Sequence, residues 1–272
     1  MNRLGIELQS VFGMPPVQHV VLAAELGCGN ISTGLSPVPW NPYSFPRWSL
    51  RDDPDLRREV MAAMRDRDVS ISLAEGFGVR PHKDVRDRAR DLDLVAELGA
   101  RQVSAVSMEA DMARALDQLA TLAQMAEKRG MGLTLEFSPP HPINSLASAQ
   151  AAIRHIGKTH VRLVIDAMHF FRSGATVAEL AALDPDLIGY VQLCDVPLVS
   201  RIGDYLQEAC FQRMIPGEGE LPLRDFLAAL PKHLEIGLEV PMLPQPGEDL
   251  RSKIGRAVKA ARELLVSAGP MD

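Results

Sequence analysis

Long apolar runs are missing from this chain. No stretch reaches the roughly 18 residues of a membrane span, so a bilayer role is not expected. The amino terminus lacks the cationic head, apolar core and small-residue cleavage site of a secretory signal. Cysteine is scarce: Cys28, Cys194 and Cys210 are odd in number and have no CxxC spacing. That excludes a disulfide framework and reads as free thiols in a reducing compartment. A cytoplasmic location is the resulting expectation. Basic patches are also absent. With 29 Lys and Arg against 35 Asp and Glu, a net charge of −6 and interspersed signs, nucleic acid is not expected as a partner. Neither GxGxxG nor GxxxxGK[ST] occurs, so nucleotide binding through those loops has no support. Internal repeats and low-complexity tracts are lacking too.

What is present is alternation. Short β-branched runs begin at Leu4, Asn30, Val69, Gln102, Gly132, Val161, Ile188 and Leu234. Between them lie helical patterns, at 15–26, 54–67, 84–98, 110–129, from Ser145 toward Ile156, 176–183 and 225–230, with a last one at about 248–266. Ser145 suits an N-cap, and Gly130 suits a C-terminal stop. Leu250, Ile254, Val258, Ala261 and Leu265 keep helical spacing in the last helix. Strict alternation implies a parallel sheet. Eight such units in 272 residues, close to the roughly 250 residues typical of the fold, predict a (β/α)8 TIM barrel. No linker divides it, so residues 1–272 are expected to form a single domain.

Residues 36–53 make a long Pro-rich loop holding both tryptophans, Trp40 and Trp48, with Tyr43 and Phe45. Such loops are functional or disordered. Aromatics, in a chain only 5% aromatic, argue for order. The loop is expected to be either a lid or a subunit contact.

Four of the predicted strands end in an oxygen-bearing side chain: Glu136, Asp166, Gln192 and Glu239. Carboxyl ends of barrel strands are where functional groups collect. Three clustered carboxylates repel unless a cation joins them. An all-oxygen set suits Mn²⁺ or Mg²⁺ better than Zn²⁺. Four protein ligands would leave two octahedral positions for a carbonyl and a neighbouring hydroxyl. His169, three residues past Asp166, is either a solvated loop residue or a substrate contact. Arg213, ahead of Pro216-Gly217-Glu218-Gly219, either makes a turn or clamps a substrate oxygen. His19, His155, His160 and His233 read as structural; His82 and His141 lie in loops after strands.

At these residues the sequence resembles the xylose isomerase-like TIM-barrel superfamily, in particular sugar phosphate isomerases and epimerases with ketose 3-epimerases and inosose dehydratases. The matching features are Leu135-Glu136-Phe137, Asp166-x-x-His169, Gln192-x-x-Asp195, Arg213-x-x-Pro216-Gly217-Glu218-Gly219 and Leu238-Glu239. The resemblance implies a Mn²⁺, Mg²⁺ or Co²⁺ site at Glu136, Asp166, Gln192 and Glu239, with Zn²⁺ as a further alternative. It implies acid/base roles for Glu136 and Glu239 and substrate contacts at His169 and Arg213. His141, Trp40 and Glu75 are added as candidate substrate-binding residues. Two departures stand out: Gln192 replaces the usual histidine, and the Pro-rich segment after Glu136 replaces a further substrate-contacting acid. The endonuclease IV-like branch needs extra histidines where this chain has Ser32, Thr33, Glu75 and Arg213.

The function expected is a metal-dependent isomerase or epimerase of a polyhydroxy carbonyl compound, working through a cis-enediolate. The alternative is a dehydratase of an inosose- or dehydroshikimate-like substrate. A third reading, with Gln192 as its support, is a non-catalytic binding barrel. Relatives are often dimers or tetramers, so a homo-oligomer is compatible with the resemblance.

Overall fold

The structure is a computed structural model and describes residues 3–157, 161–245 and 247–268. In chain order the elements are β1 (Leu4–Ile6), α1 (Pro16–Glu25), β2 (Asn30–Thr33), α2 (Pro54–Arg67), β3 (Ser70–Ala74), α3 (Ala89–Glu97), β4 (Gln102–Ala105), α4 (Met112–Glu127), β5 (Gly132–Glu136), α5 (Leu146–Ile156), β6 (Val161–Asp166), α6 (Ala167–Arg172), α7 (Val177–Ala181), β7 (Ile188–Leu193), α8 (Tyr205–Phe211), α9 (Leu223–Ala228), β8 (Ile236–Leu238) and α10 (Leu250–Ser267). The strands pair in parallel in sequence order, and β8 returns to β1, closing an eight-stranded barrel. This is the (β/α)8 TIM barrel that the alternation predicts.

The strands are buried on both faces, which is why they read as nearly continuous apolar runs. Leu133, Leu135, Leu163, Ile165, Val191 and Leu193 join the main core. The opposite face points into the barrel, where Leu73, Val164 and Tyr190 form a separate small cluster. With a period of two, the residue two positions beyond Val164 is Asp166, and beyond Tyr190 it is Gln192. The inward face therefore carries polar groups toward the carboxyl end of the barrel.

Local signals set the helix starts. Asp53 accepts from Leu56 N–H ahead of Pro54, Ser145 and Ser148 form a capping box, and Asp249 caps α10. Three expectations change. The 84–98 helix is split: Val85–Arg88 is a 3₁₀ turn, because Asp84 caps it and Gln118 takes the Val85 N–H, and α3 starts only at Ala89. Two helices, α6 and α8, lie where loops were expected. Each is six or seven residues long, too short for periodicity to register, and each is announced only by its cap, Asp166 or Asp204. His160 lies outside the described residues.

Two interior residues give predictions. Gly237, in β8, leaves the space that the Glu7 side chain fills; a Cβ there would collide with the Glu7 carboxyl and meet the Tyr190 hydroxyl at 2.7 Å. Gly237→Ala is expected to lower stability by about 1–3 kcal/mol, the range for overpacked cores, in chemical denaturation. His19 is 1% exposed, hydrogen-bonds to the Ile6 backbone and has no partner at Nε2 among the described residues. Burial lowers its pKa to about 4. The unfolded chain, with an ordinary imidazole near 6.5, takes up the proton first. Stability from this group is therefore complete above pH 6.5 and is lost as pH falls toward 4, by up to about 3 kcal/mol. His19→Gln should flatten that part of the pH–stability curve; an unchanged slope would refute the assignment.

Candidate active site

Barrel closure delivers six polar side chains to one mouth. Glu136 ends β5 and Asp166 ends β6; Asp166 pairs in register with Gln192, and Gln192 with Gly237. Glu239 follows β8 directly, its N–H continuing the ladder to Leu193 C=O at 3.0 Å. Glu75 follows β3 and is half-buried. The sixth is Glu7, just past β1 and fully buried, to which the sequence reading gave no role. Its signal was available: Gly5-Ile6-Glu7 repeats the acid-after-strand pattern of the other four strands.

Arg213 is the electrostatic centre. It is 3% exposed, and its Nη1 lies 2.5 Å from Asp166 Oδ2 and 2.8 Å from Glu239 Oε2. Its Nε–H donates to Ala209 C=O at 2.8 Å. Burial works against its charge, but the two carboxylates outweigh burial and raise its pKa further. Asp166 is held below its ordinary range: burial pulls it upward, and the Arg213 charge, His169 and the His169 backbone N–H at 2.8 Å overcome that. The glutamates go the other way. Burial, then the Asp166 charge, raise Glu136 to about 8 against Arg213. Burial raises Glu239 well above the usual range despite its own contact with Arg213. Among the described residues, Arg213 is the one arginine or lysine ion-paired to these acids.

The loop that holds Arg213 is built by Asp195. Its carboxylate accepts backbone N–H groups of Val196, Gly217 and Leu221 at 2.8–3.1 Å. A Cβ at Gly219 would run into that carboxylate. The Gln192-x-x-Asp195 and Pro-Gly-Glu-Gly features are therefore one construction: Asp195 folds the segment back and fixes the strand end beside Arg213.

His169, on α6, is buried. Its Nδ1 is 2.6 Å from the Tyr205 hydroxyl, and its Nε2 is 3.4 Å from Glu136 Oε1. Burial lowers its pKa to about 4, so the ring is neutral. Glu136, Asp166 and His169 each offer a donor atom within 4.8 Å of the others. This grouping differs from the four-oxygen set expected from sequence. His169 brings a nitrogen, while Glu239 is drawn onto Arg213. Gln192 lies apart from the trio's ion pairs: its Nε2 donates to Glu7 Oε2 at 3.5 Å, and its Oε1 is buried with no partner among the described residues.

Glu7 anchors a second network. It accepts from the Tyr190 hydroxyl at 2.6 Å, and Tyr190 also contacts Ser72 at 3.0 Å. Ser32 donates to Glu75, which brings the Glu75 carboxyl into the same network. Burial raises Glu7 to about 8, with the Glu75 charge adding to it. Burial likewise raises Glu75 to about 7, opposed by the Ser32 hydrogen bond.

The remaining candidates sit around this mouth. His141 is half-buried after β5, and burial lowers its pKa. Trp40 packs edge-on against Phe211, centroids 5.0 Å apart, and Phe211 stacks on Phe12. Trp48 donates to Gly13 C=O at 2.9 Å, and Tyr43 lies against Phe12. The 36–53 loop therefore packs on its own chain, beside the segments that follow β1 and β7.

The donor set suits a divalent cation. Two carboxylates and an imidazole converge, the acids outnumber the resident arginine, and Gln192 leaves a buried acceptor unused. The nitrogen moves the preference from Mg²⁺ toward Mn²⁺ or Zn²⁺.

A protein-family model described as a xylose isomerase-like TIM barrel matches residues 20–262. A 3-dehydroshikimate dehydratase from Pseudomonas aeruginosa is 28% identical over 189 residues, 67% of this chain and 29% of that protein. An inosose isomerase from Halalkalibacterium halodurans is 25% identical over 150 residues, 54% of this chain and 51% of that protein. The chain thus spans about half the length, or less, of the curated relatives it matches. A solved structure of the IOLI protein with a binding zinc atom has the same fold, with a TM-score of 0.77 at 18% identity over 98% of this chain and 97% of that one. No helix among the described residues is long and apolar enough to cross a membrane.

Proposed function

The chain belongs to the xylose isomerase-like TIM-barrel family, and on that premise we propose that it is a divalent-metal-dependent enzyme that removes a proton beside a carbonyl in a small polyhydroxy compound, with isomerisation or epimerisation as the outcome. The observation carrying this reading is the pair Glu136 and Glu239. Glu239 is buried and Glu136 half-buried, both are raised above the ordinary carboxyl range, and both feel the same Asp166 and Arg213 charges. Glu136, raised to about 8, lies close enough to neutrality to take and return a proton with little bias.

The cation would be held by Glu136, Asp166 and His169, with Gln192 Oε1 as a further donor, and it supplies Lewis-acid polarisation of the substrate carbonyl. Tyr205 occupies His169 Nδ1, which leaves Nε2 as the nitrogen available to a ligand. Glu136 takes the proton next to the carbonyl, leaving a cis-enediolate. Glu239 returns a proton to the opposite face, or to the neighbouring carbon. Arg213 carries a fixed positive charge for the developing oxyanion. His141, Trp40 and Glu75 contact the rest of the substrate.

A second reading, dehydration, is favoured by Glu75 and by the match to 3-dehydroshikimate dehydratase. A half-buried carboxyl with a pKa near 7 is poised to give its proton to a departing β-hydroxyl. The enediolate then collapses with loss of water instead of being reprotonated. Incubation with inososes, ketoses and 3-dehydroshikimate separates the two by product mass: unchanged for isomerisation, lighter by one water for dehydration.

The metal is tested by linkage. A cation bound only to the folded chain at about 100 times its dissociation constant adds about 2.7 kcal/mol of stability. Mn²⁺ or Zn²⁺ should raise the melting temperature and a chelator should lower it. Indifference to both would leave a metal-free binding barrel.

A further inference from the structure

A large open cavity of about 1330 Å³ lies at the opposite end of the barrel from the carboxylates. Its walls are the strand starts: Arg3 before β1, Asn30 on β2, Ser70 on β3, Arg101 and Gln102 at β4, Arg162 on β6, Gly189 on β7 and Glu235 before β8. Its lining holds six Arg and Lys against three Asp and Glu, on a chain whose net charge is −6. The charge of the molecule is therefore polarised along the barrel axis, with acids at one mouth and guanidinium groups at the other.

The cations are unevenly paired. Arg101 is taken up by Glu235, by Asn30 at 2.9 Å and by Ser70 at 3.2 Å. Arg3 donates to the Lys232 carbonyl at 2.8 Å and forms no ion pair with a described residue. It is nevertheless partly desolvated, which works against its charge. The Arg162 side chain forms neither a hydrogen bond nor an ion pair among the described residues, and it lines the cavity. Space beside it is kept by Gly189, where a Cβ would meet Arg162 Cβ at 2.7 Å and Thr134 Cγ2 at 2.9 Å. Lys232, on the same wall, is pinned by the Ala268 carbonyl at 2.7 Å, so the Arg3 contact is fixed by the end of α10.

We propose that this basic basin is a second ligand site, for a small oxyanion of the phosphate class, held by the guanidinium groups of Arg162 and Arg3 at the amino-terminal end of the barrel. Guanidinium forks match the oxygen spacing of phosphate and bind it through paired, charge-assisted hydrogen bonds. The site is independent of the chemistry proposed for the other mouth. The same chemistry is offered by free phosphate and by a phosphorylated metabolite, and one experiment separates them.

Calorimetric titration of the intact protein with inorganic phosphate, and separately with glycerol 3-phosphate, at matched ionic strength in chloride, tests the site. Saturable one-site binding is expected, weakened about tenfold or more in Arg162→Gln and in Arg3→Gln, as loss of a charged fork requires. Tighter binding of the ester identifies a phosphorylated metabolite; equal binding identifies phosphate itself. Arg162 is exposed, so its variant should keep the wild-type circular dichroism and melting curve. Absence of saturable heat with both anions, or unchanged binding in both variants, overturns the proposal.

Discussion

Glu239→Gln is expected to reduce turnover by about 10²–10⁴-fold or more, the span that a positioned acid or base contributes. The substitution keeps the shape of the side chain and one oxygen facing Arg213, which lies 2.8 Å from Glu239 Oε2. It removes the carboxyl proposed to hold and return a proton. Glu136→Gln is expected to behave alike in rate but also to weaken metal binding, because Glu136 belongs to the trio of close donor atoms. The two variants thus separate proton transfer from cation retention. Turnover in Glu239→Gln within a few fold of the wild type would show that the proton travels through another residue.

Arg213→Met is expected to cost about 3–5 kcal/mol of folding stability, the loss that follows when one partner of a buried ion pair is removed. The reason is the arithmetic of the mouth. Asp166 and Glu239 both rest on one guanidinium, and the side chains of Arg213 and Asp166 are 2% and 0% exposed. Without it, the buried Asp166 carboxylate loses its counter-charge and Glu239 its partner, so the mouth must take up a proton or open to water. Urea denaturation in chelator-treated buffer measures the loss. A divalent cation should then recover a larger share of stability in the variant than in the wild type, since it no longer competes with the arginine for these oxygens. A variant as stable as the parent without metal would mean that the acids are already neutral in the folded chain.

Much of this molecule could be read from local pattern. α2 runs from Pro54 to Arg67 as its Asp-Pro start and apolar spacing indicate, and β5 ends at Glu136 because the apolar run stops there. Ser145 caps α5 as its position suggested. The short helices α6 and α8 escaped notice because six or seven residues carry no periodicity. Their absence from the reading hid the path by which Tyr205, 36 residues downstream, reaches His169. Glu7 escaped for a different reason. Its partner Tyr190 is 183 residues away, and only closure of β8 onto β1 brings the two together. The same closure decides that Gln192 faces Glu7. The distribution of charge along the barrel axis was likewise invisible, because the bases at the strand starts and the acids at the strand ends alternate in sequence and separate only in space.

Removal of a proton next to a carbonyl is the step proposed for this mouth. It is tested most directly by proton NMR after incubating the Mn²⁺- or Zn²⁺-loaded protein in D₂O with a ketose, an inosose or 3-dehydroshikimate, and stripping the metal before acquisition. The expected result is loss of the proton signal at the carbon beside the carbonyl with one of these compounds, a loss absent in Glu239→Gln and in chelator. Full retention of that signal with every compound, in a protein that demonstrably binds the metal, would contradict it.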